Sequence, residues 1–234
     1  MKKNFTCIIP ARGGSKRIKN KNIMLFHKKP MISYSINAAS KSRLFKQIIV
    51  STDNKKIKKV AEKLGAKVPF IRQKKLSDSK TGLIEVFLDS VKKLNINDDY
   101  VFFVLSTAPL LKAKDLIDAF KKIKIKKADC LIAVSDFDYN PLKGFCYDRK
   151  DFIKFQWPKY RNTNSQDLRQ LFHDTGTFYI YKTKSLLKFK SFLPKKTIPY
   201  FLKRYDSVDI DTKEDLKFAE FVYKFRKKLR VEVK

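Results

Sequence analysis

Two hydrophobic rhythms alternate along the chain from Phe5 to Val134. Short apolar or β-branched runs at Phe5–Ile9, Gln47–Ser51, Lys67–Ile71, Tyr100–Leu105 and Leu131–Val134 predict strands, and Tyr100–Leu105 is apolar enough to be a central parallel one. Between them the apolar spacing becomes helical. Pro30–Ala39 predicts a helix with Pro30 in its first turn. Asn54–Leu64 predicts one capped by Asn54 and stopped by Gly65. Thr81–Leu94 places Leu83, Val86, Phe87, Val91 and Leu94 on one face, and Ala113–Phe120 does the same with Leu116, Ile117 and Phe120. Strands alternating with helices predict an α/β layer fold built on a mostly parallel sheet. Ligands of such sheets bind beyond the carboxyl ends of the strands. That rule points to the segments after Ile9, Ser51, Ile71 and Leu105.

The rhythm breaks between Asp136 and about Arg169. Phe145–Tyr147 and Phe152–Phe155 predict short strands around Asp148-Arg149-Lys150, an antiparallel excursion able to cover a site or meet a second subunit. Thr177–Tyr181 predicts a return to the sheet and Val208–Asp211 a brief last strand. Thr212 then caps a helix running to about Lys228, with Glu214 and Asp215 at its positive end. No repeat or low-complexity linker interrupts residues 1–234, which read as a single domain.

Composition adds a strong charge. Fifty-four Lys and Arg against 23 Asp and Glu give a net charge of +31. Such a field attracts polyanions, so nucleic acid enters as a candidate partner. The lysines are spread over every predicted helix, however, and the 20 phenylalanines lie within apolar runs. This favours a solvated basic surface over a dedicated nucleic-acid face. Cys7, Cys130 and Cys146 have no metal-ligand spacing and read as reduced thiols. The first apolar run ends at Pro10, too short for a signal peptide or a bilayer span, and a cytoplasmic location is expected.

The sharpest chemical signal follows the first strand: Pro10-Ala11-Arg12-Gly13-Gly14-Ser15-Lys16-Arg17-Ile18-Lys19-Asn20-Lys21-Asn22. Two glycines permit a tight turn whose amides form an anion nest, and Arg12, Lys16 and Lys21 can surround a triphosphate. The spacing matches neither a P-loop nor a dinucleotide fingerprint. A second signal is Asp209-Ile210-Asp211. On an extended chain Val208 and Ile210 point one way and the two acids the other. Carboxylates that close repel unless a cation lies between them, and Mg²⁺ prefers few carboxylates, with water and phosphate completing its shell. A third segment, Ser165-Gln166-Asp167-Leu168 to His173-Asp174-Thr175-Gly176-Thr177, is dense in polar groups. His173 there is a candidate for a substrate oxygen, or a structural hydrogen bond. His27 has no partner spacing and reads as surface.

Together these motifs resemble the CMP-nonulosonate, or sialic-acid-type, cytidylyltransferases. The resemblance rests on Ile9 through Ile18, Lys21-Asn22-Ile23, Lys29-Pro30-Met31-Ile32, Val50-Ser51-Thr52-Asp53 and Asp209-Ile210-Asp211-Thr212. Leu105-Ser106-Thr107-Ala108-Pro109-Leu110-Leu111 replaces the Gln-Pro-Thr-Ser-Pro-Leu-Arg of sialic acid enzymes, while Arg161, Ser165–Leu168 and Phe172–Tyr179 resemble the pseudaminic acid branch. Thr175 stands where that branch more often has alanine, and Lys28 where glycine is usual. The resemblance implies a three-layer nucleotide-binding fold of the nucleotide-diphospho-sugar transferase type, Mg²⁺ dependence, and a homodimer reached through residues 137–170. It also implies cytidine contacts from Ala11, Arg12, Asn22, Arg72 and the Asp78–Thr81 stretch, Ser79 and Thr81 included, with Arg12 and Lys21 on the triphosphate. Gly13, Ser15 and Lys16 complete the expected nucleotide site.

The expected reaction is direct transfer: the anomeric hydroxyl of a nonulosonic acid attacks the α-phosphorus of CTP and pyrophosphate leaves. Arg12, Lys21, Asp209 and Asp211 are the candidate catalytic groups, Asp209 and Asp211 the metal ligands, and Gln166, Asp167 and His173 the sugar readers. Two other nonulosonates, N-acetylneuraminic and legionaminic acid, stand as rival acceptors. A non-catalytic RNA-binding protein and a degenerate member that only binds nucleotide are the rival functions.

Overall fold

A computed structural model describes residues 4–15, 17–78 and 80–232, with side chains up to Arg226. Its elements in chain order are β1 (Phe5–Pro10), β2 (Leu25–Phe26), β3 (Lys29–Pro30), α1 (Met31–Ser42), β4 (Phe45–Ser51), α2 (Lys55–Lys63), α3 (Leu83–Lys93), β5 (Tyr100–Val104), α4 (Ala113–Lys126), β6 (Cys130–Asp136), β7 (Phe145–Tyr147), β8 (Ile153–Phe155), β9 (Phe172–Lys182), α5 (Thr183–Phe189), β10 (Thr197–Phe201) and α6 (Lys213–Glu232). The main sheet has the order β10-β6-β9-β5-β1-β4. All neighbours run parallel except at β9, which is antiparallel to both β5 and β6. The fold is thus α/β with a mixed, mostly parallel sheet.

Alternation along the strands explains the three layers. Cys7, Ile9, Phe102, Val104, Leu131, Ala133, Phe178 and Ile180 face α1, α2 and α4. Ile8, Val101, Phe103, Ile132, Tyr179 and Tyr181 face the other way, onto α3 and α5. There Phe87 stacks on Phe103 at 3.7 Å between ring centres. Local signals set the helix ends. The Asn54 side chain accepts from the amides of Lys56 and Ile57 at 2.8 and 3.2 Å, and Gly65 follows α2 at φ +84. Thr212 and Asp215 form a reciprocal cap on α6: Asp215 Oδ2 accepts from the Thr212 amide at 2.7 Å, and Thr212 Oγ1 accepts from the Asp215 amide at 3.1 Å.

The structure departs from the sequence reading at particular elements. Lys67–Ile71 is not a strand and makes only the isolated bridges Ile49–Lys67 and Thr52–Ile71. Val208–Asp211 is not a strand either, because no neighbouring strand pairs with it; the Ile210 carbonyl accepts from Lys21 Nζ at 2.6 Å instead. Its predicted alternation survives, with Val208 and fully buried Ile210 packed among Ile18, Phe26 and Met31. α5 and β10 were not read from the sequence. The excursion does contain the predicted antiparallel pair, β7 with β8. Among the described residues no helix is long and apolar enough to cross a membrane.

Candidate active site

The chain leaves β1 through α1 toward β4 on one side, then crosses by α3 to β5 on the other. The loops that follow β1 and β5 lead into α1 and α4 on one face of the sheet, and a cleft of about 300 Å³ lies beyond the carboxyl ends of the two strands. Leu105, Ser106 and Thr107 form its floor. Ser106 Oγ lies 3.0 Å from the Pro10 carbonyl oxygen and 2.8 Å from Asn22 Oδ1, while Asn22 Nδ2 donates to the Arg12 carbonyl at 2.8 Å. Buried Asn22 thus ties the two ends of the basic loop together and anchors both to the floor.

Gly13 is required by packing. A Cβ at this position would come within 2.7 Å of Asn54 Nδ2 and 2.9 Å of Asn54 Cβ. The close approach lets the Gly13 amide donate to Asp53 Oδ1 at 2.7 Å. The anion nest read from the sequence is therefore partly filled by the protein's own carboxylate. Beyond it, Ala11 is buried with its amide on the Ser51 carbonyl at 2.9 Å, and Ser15 lines the cleft.

The opposite wall is a hooked loop between α2 and α3. Asp78 Oδ1 accepts from the Thr81 hydroxyl and amide at 2.8 and 2.7 Å and from the Lys80 amide at 2.9 Å. Those bonds hold its carboxyl below the usual range. The Asp78 carbonyl in turn accepts from Arg12 Nη1 at 2.6 Å. Buried Arg72 lies behind, its Nε donating to Ser77 Oγ at 3.0 Å. Burial lowers its pKa, Asp53 opposes that shift, and Arg12 adds to it. Arg12, Arg72 and Thr81 all line the cleft.

Asp211 closes the cleft from the third side. Asp211 Oδ1 accepts from Lys21 Nζ at 3.1 Å and its Oδ2 from Arg17 Nη2 at 2.8 Å. The early basic loop and the late acids thus meet. Asp209 differs: it makes no hydrogen bond or ion pair among the described residues. Although solvent reaches it, the surrounding protein displaces enough water to raise its pKa, Asp211 raises it further, and Lys21 opposes. Asp211 lines the cleft, whereas Asp209 lines an adjoining cavity of about 580 Å³ with His173, Tyr205 and Phe218. The two acids, two positions apart in the chain, thus line different spaces. No group of three or more His, Cys, Asp or Glu side chains able to hold a metal occurs among the described residues. Mg²⁺ needs fewer, since water and phosphate complete its shell. An all-oxygen pair with one unpartnered, electrostatically frustrated carboxylate fits that demand.

Arg12, Ser15, Lys21, Asn22, Arg72, Thr81 and Asp211 are thus brought to one cleft, with Ala11 and Gly13 in the loop behind it. Lys16 and Ser79 lie outside the described residues. His173 lines the adjoining cavity, its Nδ1 3.0 Å from the Asp174 carbonyl oxygen and its ring 5.0 Å from Phe137. Gln166 and Asp167 are not brought there. They sit on an exposed single turn of the excursion, Ser165–Asp167, and line neither space. His27 is not simply surface: it stacks on Tyr223 at 4.7 Å and lies 3.2 Å from the Glu220 carbonyl oxygen, pinning β2–β3 to α6. Asp78 belongs to the Asp78–Thr81 stretch expected from the resemblance, whereas Arg17, Asp53 and Ser106 were given no individual role from the sequence. Their roles depend on partners 40 to 194 positions away along the chain, which spacing does not reveal; the Asp53 to Gly13 bond spans 40 residues and the Arg17 to Asp211 pair 194.

With this geometry in view, comparison with known proteins is informative. A family model described as cytidylyltransferase matches residues 6–233. A pseudaminic acid cytidylyltransferase of Campylobacter jejuni is 38% identical over 221 residues, covering 93% of this chain and 95% of that protein. An N-acylneuraminate cytidylyltransferase of Escherichia coli is 27% identical, and this chain spans 55% of its length. Among solved structures, CMP:2-keto-3-deoxy-manno-octonic acid synthetase complexed with CTP superimposes with a TM-score of 0.72 at 14% identity, over 95% of this chain and 99% of that one. At that identity the likeness is one of fold.

Proposed function

This chain belongs to the cytidylyltransferase family, and from that premise we propose that it transfers CMP from CTP to the anomeric hydroxyl of a nonulosonic acid, pseudaminic acid first among them. One observation carries the reading: the basic loop after β1 and Asp211, just before α6, converge at a single cleft, with Lys21 and Arg17 both on Asp211. A nucleotidyl transfer needs cationic groups along a triphosphate and anionic groups for a metal at one place. The choice of pseudaminic acid is supported by the 38% identity to an enzyme of that name.

CTP would lie along the basic loop, its phosphates beside Arg12, Lys16 and Lys21, its cytidine against Arg72, Asn22 and the Ser79–Thr81 hook. The acceptor would enter through the adjoining cavity, where His173 and Asp209 stand. Its hydroxyl oxygen forms the new bond to the α-phosphorus and gives up its proton to solvent, and the bond from that phosphorus to the β-phosphate oxygen breaks, releasing pyrophosphate. Asp209 and Asp211 would hold Mg²⁺, which supplies Lewis-acid polarisation of phosphate oxygens when bound. The chain's own part is positioning. Ser106 and Asn22 fix the loop, Arg12 is held by the Asp78 carbonyl, and Lys21 is aimed by the Ile210 carbonyl, so little rearrangement is left for the reaction itself.

We read residues 1–234 as one catalytic domain that works as a homodimer through residues 137–170. A lone two-stranded pair is marginally stable in water, and β7–β8 with its turn leaves Phe145, Tyr147, Phe152 and Ile153 exposed. Sedimentation of a monomer would reject the dimer. Gln166 and Asp167, which reach neither space within one chain, belong in this reading to a site shared between subunits. The assay that tests the function is pyrophosphate release from CTP with pseudaminic, N-acetylneuraminic, legionaminic and 3-deoxy-manno-octulosonic acids. Turnover with the first exceeding the rest is expected. Turnover with none, alongside tight salt-sensitive RNA binding, would favour the non-catalytic rival.

A further inference from the structure

The carboxylate assigned to the metal is already engaged by cations of the chain itself, and those cations are not equivalent. Lys21 has a side chain only 18% exposed and is tied to the Ile210 carbonyl as well as to Asp211 Oδ1. Arg17 has a side chain 68% exposed, and its 2.8 Å bond to Asp211 Oδ2 is its sole hydrogen bond or ion pair among the described residues. Its guanidinium lines the same cleft as Arg12 and Thr81. Asp211 thus faces the two positive charges of Lys21 and Arg17, with Asp209 two positions away. A divalent cation arriving alone would have to compete with Arg17 for Asp211 Oδ2 and would be repelled by both basic groups. A triphosphate changes that balance, because it offers the exposed, planar guanidinium a more highly charged bidentate acceptor in the same cleft.

We propose that Arg17 is an exchangeable counter-ion, which occupies Asp211 while the cleft lacks nucleotide and crosses to the phosphates when cation and CTP enter together. The inference rests on the assignment of Asp209 and Asp211 to the metal. Arg17 acts here as a positioning residue that couples two binding events. Linkage then requires each ligand to strengthen the other by the same factor. An enzyme built this way takes up its metal with the nucleotide rather than before it.

The test measures Mn²⁺ binding to the nucleotide-free protein by the loss of the free-ion spin-resonance signal, for the parent, Arg17→Met, Arg17→Lys and Asp211→Asn, with thermal melts to verify folding. CTP affinity is then measured with and without Mn²⁺. Arg17→Met is expected to bind Mn²⁺ about two- to five-fold more tightly, the scale of an exposed ion pair. Its CTP affinity in Mn²⁺ falls, so that the factor coupling the two ligands shrinks. Arg17→Lys, which keeps the charge but loses the planar fork, gives an intermediate shift and serves if the Met variant melts early. Asp211→Asn loses the ion. Mn²⁺ affinity in Arg17→Met equal to or weaker than the parent's, with Asp211→Asn still losing the ion, would overturn the role of Arg17 alone. Parent-like Mn²⁺ binding by Asp211→Asn would instead remove the metal assignment and this inference with it.

Discussion

The most demanding structural prediction concerns Gly13→Ala. The added methyl would lie 2.7 Å from Asn54 Nδ2 and 2.9 Å from Asn54 Cβ, distances that van der Waals contacts do not allow. One side must give. If Asn54 rotates away, α2 loses a cap that now accepts from the Lys56 and Ile57 amides, at a cost of about 1 kcal/mol. If the loop moves instead, the 2.7 Å bond from the Gly13 amide to Asp53 weakens, and a hydrogen bond to a charged group is worth about 1.5–3 kcal/mol. Partial loss of both gives about 2 kcal/mol, which in a chain of this size lowers Tm by roughly 4–8 °C. A displaced loop also carries Arg12 away from the Asp78 carbonyl, so CTP affinity falls as well. The informative partner is Asn54→Gly, which removes every atom that the new methyl would strike while remaining an acceptable cap, at a cost of a few tenths of a kcal/mol. A double-mutant cycle by denaturant unfolding separates the terms. Gly13→Ala in the Asn54→Gly background should cost less than about 0.5 kcal/mol, with CTP binding largely restored. Equal costs in the two backgrounds would refute the steric argument.

Asp211→Ala should lower CMP transfer by a factor on the order of 10² or more while leaving the far-ultraviolet circular dichroism unchanged, since the side chain is part-exposed and its partners Lys21 and Arg17 keep access to water; near-normal turnover in the folded variant would remove the metal assignment. Asp209 carries a raised pKa, so its ionisation opposes folding: stability is greatest at low pH and is lost as pH rises from the ordinary carboxylate value through the elevated one. Asp209→Asn should therefore raise the Tm of metal-free protein at neutral pH, the gain disappearing below the ordinary carboxylate range, and a gain independent of pH would contradict the electrostatic cause. His27 and Lys28 both turn through positive φ, at +44 and +66, between β2 and β3. Lys28→Gly relieves about 1–2 kcal/mol of left-handed strain against about 0.5–1 kcal/mol of added chain entropy, so a small rise in Tm is expected and a fall would contradict it.

Much of this architecture was legible along the chain. The Asn54 cap, the Gly65 stop and the helical period of Leu83 to Val91 are local signals, and each appears where its chemistry requires. The basic loop after β1 was legible because glycines next to Arg and Lys at a strand end have few structural uses. What depends on distant partners was not. Val208–Asp211 alternates as a strand does, but a strand also needs a neighbour, and only the fold reveals that Lys21 takes the place of one. Thr197–Phe201 contains Pro199, which argues against a strand in isolation; it pairs with β6 as the sheet's edge, where proline is tolerated. Asp53 and Arg17 carried no spacing signal because their roles follow from Gly13 and from Asp211, the latter near the other end of the chain.

In the proposed mechanism a cation held by Asp209 and Asp211 faces the phosphates of CTP in the cleft beyond β1. A crystal grown with CTP and Mn²⁺, with the metal located by its anomalous scattering, tests it most directly. One strong peak bonded to both carboxylates and to phosphate oxygens, beside Arg12 and Lys21, is expected. A peak bound to neither acid, or a triphosphate bound away from the basic loop, would contradict it.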